Sequence, residues 1–278
     1  TADQVMAKVK TITDTLRLAL LNRFLKGEAK IPQMPEAAMR IRKLLDNPMT
    51  STEQLARVIN GNPPLAAYLM QFSSSPLVRG NRPCASLREL LDRLGTRQLA
   101  DLVLGFSLQH LFSSTDALLQ QVFRLRWRHA RERAAHCAVL AQRTGLSMDD
   151  AMLAGLLQDI GSLPLLSELE HWPQVSRDAA TLEGLCESLS GNLGALILTR
   201  WQLPPAVVEC ARQYGQWQRE HDGPADLADL VLLASALQAA HEPEAPLPAQ
   251  IKLGLEQPLA TLRQELADEL SLWKRLLA

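Results

Sequence analysis

Apolar residues in this chain recur three and four positions apart, and glycine and proline break the rhythm at intervals. No region sustains the alternating β-branched pattern of a strand. A chain patterned this way buries apolar stripes of helices against one another, so the expected fold is all-α, a compact multi-helix arrangement. Several helix starts are explicit. Ser51-x-x-Gln54, or Thr50-x-x-Glu53 one residue earlier, fits a capping box, as does Ser86-x-x-Glu89. Pro35, Pro63-Pro64 and Pro204-Pro205 stand where a first helical turn does not need the missing N–H, while Gly95 and Gly145 read as helix stops. Helices are expected near 3–25, 35–46, 51–60, 63–74, 86–94, 97–113, 116–143, 148–159, 181–187, 189–201, 205–220, 225–241 and 258–277.

No low-complexity linker divides this map. The best seam is the polar break Phe112-Ser113-Ser114-Thr115-Asp116, which predicts two helical lobes, about 30–114 and 115–220, sharing a core. An N-terminal helix within 1–29 is expected to pack on this 30–220 domain. Beyond it, 221–278 reads as a C-terminal helical extension containing an extended proline-rich loop, Glu242 to Pro248. At 278 residues and 47% hydrophobic composition the chain can fill one large core or two modest ones. No apolar stretch approaches the ~20 residues that span a bilayer, and the polar start has no signal-peptide core, so a cytoplasmic location and no membrane partner are expected.

Charge and cysteine content remove several function classes. With 29 Lys and Arg against 30 Asp and Glu, the chain has no global electrostatic reason to seek nucleic acid or an anionic membrane. Aromatic residues at 4% are too few for stacking platforms on single strands, so nucleic acid is disfavoured as a partner. Cys84, Cys137, Cys186 and Cys210 form no C-x-x-C pair and read as buried thiols. Phosphate-loop, hydrolase-elbow and zincin signatures are missing, and Ser73-Ser74-Ser75 reads as a helix-ending turn. One local cationic pattern stands out. Arg124, Arg128 and Arg131 follow i, i+4, i+7 spacing, with Arg126 and Arg133 alongside, a row that either grips an anion or forms a solvated face.

The most informative chemistry is Gln158-Asp159-Ile160-Gly161, where a carboxylate closes the apolar run that begins at Ala151. Several motifs accompany it in order: Ile31-Pro32-Gln33-Met34-Pro35-Glu36, Leu55 to Ile59, Asn62-Pro63-Pro64-Leu65-Ala66, Ser86 to Gly95, Trp127-Arg128-His129, and Trp201-Gln202-Leu203-Pro204. Together they cover roughly 30 to 220 and resemble the HDOD family, the HD-related output domains. The resemblance implies a helical signalling module distantly related to HD-type metal-dependent phosphohydrolases. In those enzymes a His-Asp pair ends such a run and binds the ion. Here the first member is Gln158, whose neutral amide oxygen is a weak donor to a transition metal.

The rest of the metal set is depleted as well. His129 and Asp159 match ligand positions, but no histidine lies between His171 and His221, and Ser190 stands where related sequences often carry one. Two protein ligands seldom hold a divalent ion against water. His136 lies seven residues past His129, a rise of roughly 10 Å, too far for both to bind one ion. His129, Gln158 and Asp159 are therefore expected as remnants of a metal site, with no catalytic residue, no bound metal and no cofactor. His129 is expected to hydrogen-bond Asp159 or a backbone carbonyl, Asp159 to accept local N–H bonds, and Gln158 to bond near Asp159 or face solvent. The expected function is a non-catalytic bacterial signal-transduction output or adaptor module that contacts an unidentified signalling protein. The alternative is a metal-dependent phosphohydrolase acting on a nucleotide or cyclic dinucleotide, the one reading that would require a divalent metal. No residue pattern supports cyclic-dinucleotide binding.

Overall fold

The computed structural model describes residues 2–78, 80–239 and 241–278, with side chains from residue 14 onward. The packing of residues 1–13 lies outside the described side chains. The helices are α1 (Ala2–Leu25), α2 (Glu36–Leu45), α3 (Thr52–Asn60), α4 (Pro63–Met70), α5 (Leu87–Arg93), α6 (Thr96–Leu108), α7 (Ala117–Thr144), α8 (Met148–Leu157), α9 (Ser162–Glu168), α10 (Ala179–Arg200), α11 (Pro205–Arg212), α12 (Leu227–Gln238), α13 (Pro248–Leu253) and α14 (Leu259–Leu277). No strand occurs among the described residues, so the fold is all-α.

Local chemistry sets the boundaries. Ser51 completes a capping box with Gln54, and Asn62 caps α4 ahead of two prolines. Ser86 caps α5, but the Glu89 carboxylate reaches back to the Ala85 N–H rather than to Ser86 itself. Gly145 ends α7 with φ 72°, the left-handed turn that glycine adopts without a Cβ penalty. Gly95 is a correction: its extended backbone precedes α6 as the N-cap instead of closing α5.

α7 is the central support. It packs against α8, α12 and α14, while α11 packs against α8, α10 and α12. One contiguous set of buried apolar side chains runs from Leu20 to Leu277 and includes residues from both sides of the 112–116 seam. Residues 227–277 belong to this core: Leu230, Val231, Leu233, Leu262 and Leu266 are all buried in it.

The 31–36 motif and α2 clasp the late 201–204 motif. The Arg42 guanidinium donates to the backbone oxygens of Trp201 and Gln202, and the buried Trp201 indole donates to Pro32 O at 3.1 Å. Gln202 itself holds φ 57° at the end of α10, the one non-glycine residue with positive φ among those described. All four cysteines are buried and unpaired.

Candidate functional site

Burial of the α8 apolar face carries Gln158 and Asp159 into the interior at its C-terminal end. Gly155 makes this approach possible. A Cβ there would stand 2.8 Å from Cys137 Sγ and 3.0 Å from Ala134 Cα, so only glycine lets α8 lie this close to α7. Opposite Asp159, α7 presents Arg126, His129 and Arg133, whose i, i+3, i+7 spacing places them on one face of the helix.

Asp159 is 2% exposed and both of its oxygens are engaged. Arg126 Nη1 donates to Oδ2 at 2.9 Å, and Arg133 Nη2 donates to Oδ1 at 3.1 Å. Each arginine is fixed by a further acceptor. Arg133 Nε donates to Gly155 O at 2.7 Å, while Arg126 Nη2 donates to Glu183 Oε2 at 2.9 Å, and Tyr214 Oη donates to Glu183 Oε1 at 3.0 Å. Charge-assisted bonds of this kind are the strong class of hydrogen bond, and here they link α7, α8, α10 and the segment after α11. Removed from water, the Arg126 guanidinium is nonetheless held protonated by the carboxylates of Asp159 and Glu183, and its pKa is raised.

Gln158 is equally buried. Its Oε1 accepts from Ser235 Oγ on α12, and its Nε2 has no hydrogen-bond partner among the described residues. His129 is half-buried and makes no hydrogen bond with a described residue. Burial lowers its pKa, with Arg128 and Arg133 acting in the same direction against Glu132 and Asp159. His136 lies deeper, its Nδ1 bonded to Glu132 O at 2.8 Å, and burial pulls its pKa down to about 4.

Three expectations about this site are corrected. Asp159 does not accept local N–H bonds, because distant guanidiniums on α7 reach it first. His129 bonds neither Asp159 nor a described backbone carbonyl. Gln158 does not face solvent, since α12 covers it. Of the arginine row, Arg124 and Arg128 are exposed, whereas Arg131 lies 5.9 Å over the Trp127 ring and donates to the Leu277 and Ala278 carbonyls. Arg126 and Arg133, noted only as neighbours of that row, are buried in the site. Glu183, Tyr214 and Ser235 were not anticipated; the spacing of Arg126 and Arg133 about His129 was the readable signal.

These groups line a half-open pocket of about 740 Å³ that also reaches Arg177, Leu182, Glu187, Trp217 and His241. Elsewhere, one group of three potential ligands converges among the described residues, namely His221, Asp226 and Asp229. A cation already sits there. Arg219 donates to Asp229 at 2.9 Å and to Asp226 at 2.7 Å, and the cluster caps α12.

Comparison with known proteins agrees with this architecture. A curated relative from Treponema pallidum (strain Nichols), an uncharacterized protein, is 22% identical over 216 residues; the match covers 74% of this chain but 40% of that protein. Among solved structures, a Shewanella amazonensis SB2B protein provisionally assigned as a metal-dependent phosphohydrolase superposes with TM-score 0.80 at 23% identity, covering 96% of this chain and 99% of its own. An HDOD domain protein of unknown function from Geobacter sulfurreducens gives 0.63 at 18% identity, with 95% and 97% covered. A protein from Marinobacter aquaeolei VT8, provisionally assigned to signal transduction, gives 0.56 at 24% identity, with 96% and 64% covered. The HDOD domain model matches residues 31–216, most of the chain, and the chain belongs to the HDOD family.

Proposed function

We propose that this chain is a non-catalytic signalling module, an output or adaptor domain working through contacts with a protein partner, in which the ancestral metal position has become an arginine-locked structural centre. The observation that carries this reading is the occupation of both Asp159 oxygens by Arg126 and Arg133. A divalent ion at Asp159 would compete with those two bonds and stand against two fixed positive charges. The remaining donors do not fit a metal either. Gln158 offers an amide oxygen already bonded to Ser235, Ser190 supplies no imidazole, and His129 is left as a single neutral nitrogen donor.

The role in signalling draws on family membership and on the description of the Marinobacter relative. The phosphohydrolase description of the Shewanella relative supports the competing reading. For that reading to hold here, an ion must compete with Arg126 and Arg133 for Asp159 and stand beside two buried guanidiniums, an arrangement costing several kcal/mol.

Protein purified with Mn²⁺ present and assayed by elemental analysis is expected to carry no stoichiometric metal, and to leave phosphomonoester and phosphodiester substrates intact. Turnover that needs Mn²⁺ or Mg²⁺ and disappears in both His129→Ala and Asp159→Ala would establish the enzyme instead.

A further inference from the structure

The pocket above the arginine lock has a chemistry of its own. Its volume of about 740 Å³ falls within the ~300–1,000 Å³ of small-molecule sites. One wall is aromatic: Trp217 and His241 stack with centroids 5.0 Å apart and ring planes 14° from parallel. Val122, Leu125 and Leu182 give it apolar surface besides.

Its charges are already committed. Arg126 is bound to Asp159 and Glu183 and Arg133 to Asp159, while Arg177 pairs with Asp116 at 3.8 Å and donates to the carbonyls of Leu169, Trp172 and Val175. The charged side chain left over is an anion, Glu187, exposed and pairing with no described residue. A phosphate entering this pocket therefore meets no free cation and one free carboxylate. Hydrogen-bonding capacity, by contrast, remains open. The Gln158 amide, 1% exposed with its oxygen held by Ser235, keeps an unpartnered N–H pair at the floor, and His129 and Gln238 bond to no described side chain. An unpaired buried amide is costly, and a ligand acceptor reaching it would relieve that cost.

From these features we infer that the pocket is a binding site for an uncharged, flat heterocycle of about nucleoside size, stacked on Trp217, hydrogen-bonded to Gln158 and rejecting phosphorylated forms. The inference rests on the arginine-locked reading, because only a lock that occupies Arg126 and Arg133 leaves the pocket without a cation for phosphate. It gives the module an input, a small molecule that joins α7, α10 and α12 across one cavity.

Isothermal titration of the full chain in chelator-treated buffer with adenosine, guanosine, uridine and nicotinamide, and with the three nucleoside 5′-monophosphates, tests it. At least one uncharged compound should bind. A binding nucleoside should lose about tenfold or more in affinity on phosphorylation, and any binder should lose as much in Gln158→Leu, the effect of one buried hydrogen bond. Glu187→Arg, on the exposed rim and outside the core, should raise monophosphate affinity over the wild type. Absence of binding by every uncharged compound overturns the inference, as does a monophosphate that binds as tightly as its nucleoside. Such failure without Mn²⁺ dependence leaves the non-catalytic reading standing. Binding that appears only when Mn²⁺ is supplied removes both.

Discussion

Asp159 shows how a fold accommodates a carboxylate in its interior. A lone buried carboxylate would be expensive to desolvate, and two arginines from one helix face make it tolerable by taking both oxygens. Asp159→Asn would leave the Arg133 guanidinium buried without a counter-charge and Arg126 with Glu183 alone, and a loss of about 3–5 kcal/mol in urea-unfolding free energy is expected. A loss under about 1 kcal/mol would show the lock to be dispensable. The sequence made Gln158 and Asp159 visible because they end an apolar run. It hid their partners, since arginine on a helix is most often a solvated residue, and Arg126 and Arg133 become buried only when α8 and α10 close over them.

Elements were legible where they carry strong punctuation and obscure where packing decides. α7 and α8 were anticipated to within a residue or two of their ends because Asp116, Gly145 and Ser147 mark them. Helices expected at 181–187 and 189–201 are one continuous α10, since nothing at Ser188 stops a helix whose faces are buried on several sides. The helix expected at 205–220 ends at Arg212, ahead of Gly215 at φ 72°. The one expected at 63–74 stops at Met70 in a succession of turns. α9 was missed because seven residues with Pro164 among them show no helical period, and α13 because it has six. The crossing of α9 and α10 depends on Gly161. A Cβ there would run into Ser190 O and come within 2.6 Å of the Gly194 nitrogen, so backbone would have to move. Gly161→Val is therefore expected to lower the melting temperature sharply and to disturb Asp159 two residues away. Unchanged thermal unfolding would contradict this packing.

Across the whole molecule, two titratable groups, one half-buried and one buried, have opposite effects on the pH dependence of stability. Asp101 on α6 has its pKa pushed up to about 7, first by burial and further by Asp150 and Asp149, against the pull of Arg97 and Arg42. With an ordinary value of 3.8, its folded form binds the extra proton, so this group's contribution to stability falls as pH rises from about 4 to about 7. His136 runs the other way. Its folded pKa of about 4 against an ordinary 6.5 means that its contribution is full above pH 6.5 and is lost as pH falls towards 4. Unfolding free energies measured from pH 4 to 7 should therefore gain a rising slope with pH in Asp101→Asn and a falling slope in His136→Gln, each relative to the wild type. Parallel curves for all three proteins would contradict both assignments. The all-α class and the family were legible because they rest on many motifs in order, whereas the joining of 227–277 to the core was not. Nothing in the sequence said that Ser235 would reach Gln158.

Crystals grown with Mn²⁺ and measured at the manganese absorption edge test directly whether a metal can take Asp159 from Arg126 and Arg133. No anomalous peak is expected within coordination distance of His129 and Asp159, with both Asp159 oxygens on the arginines. A peak bridging His129 and Asp159, with either arginine displaced, would contradict it.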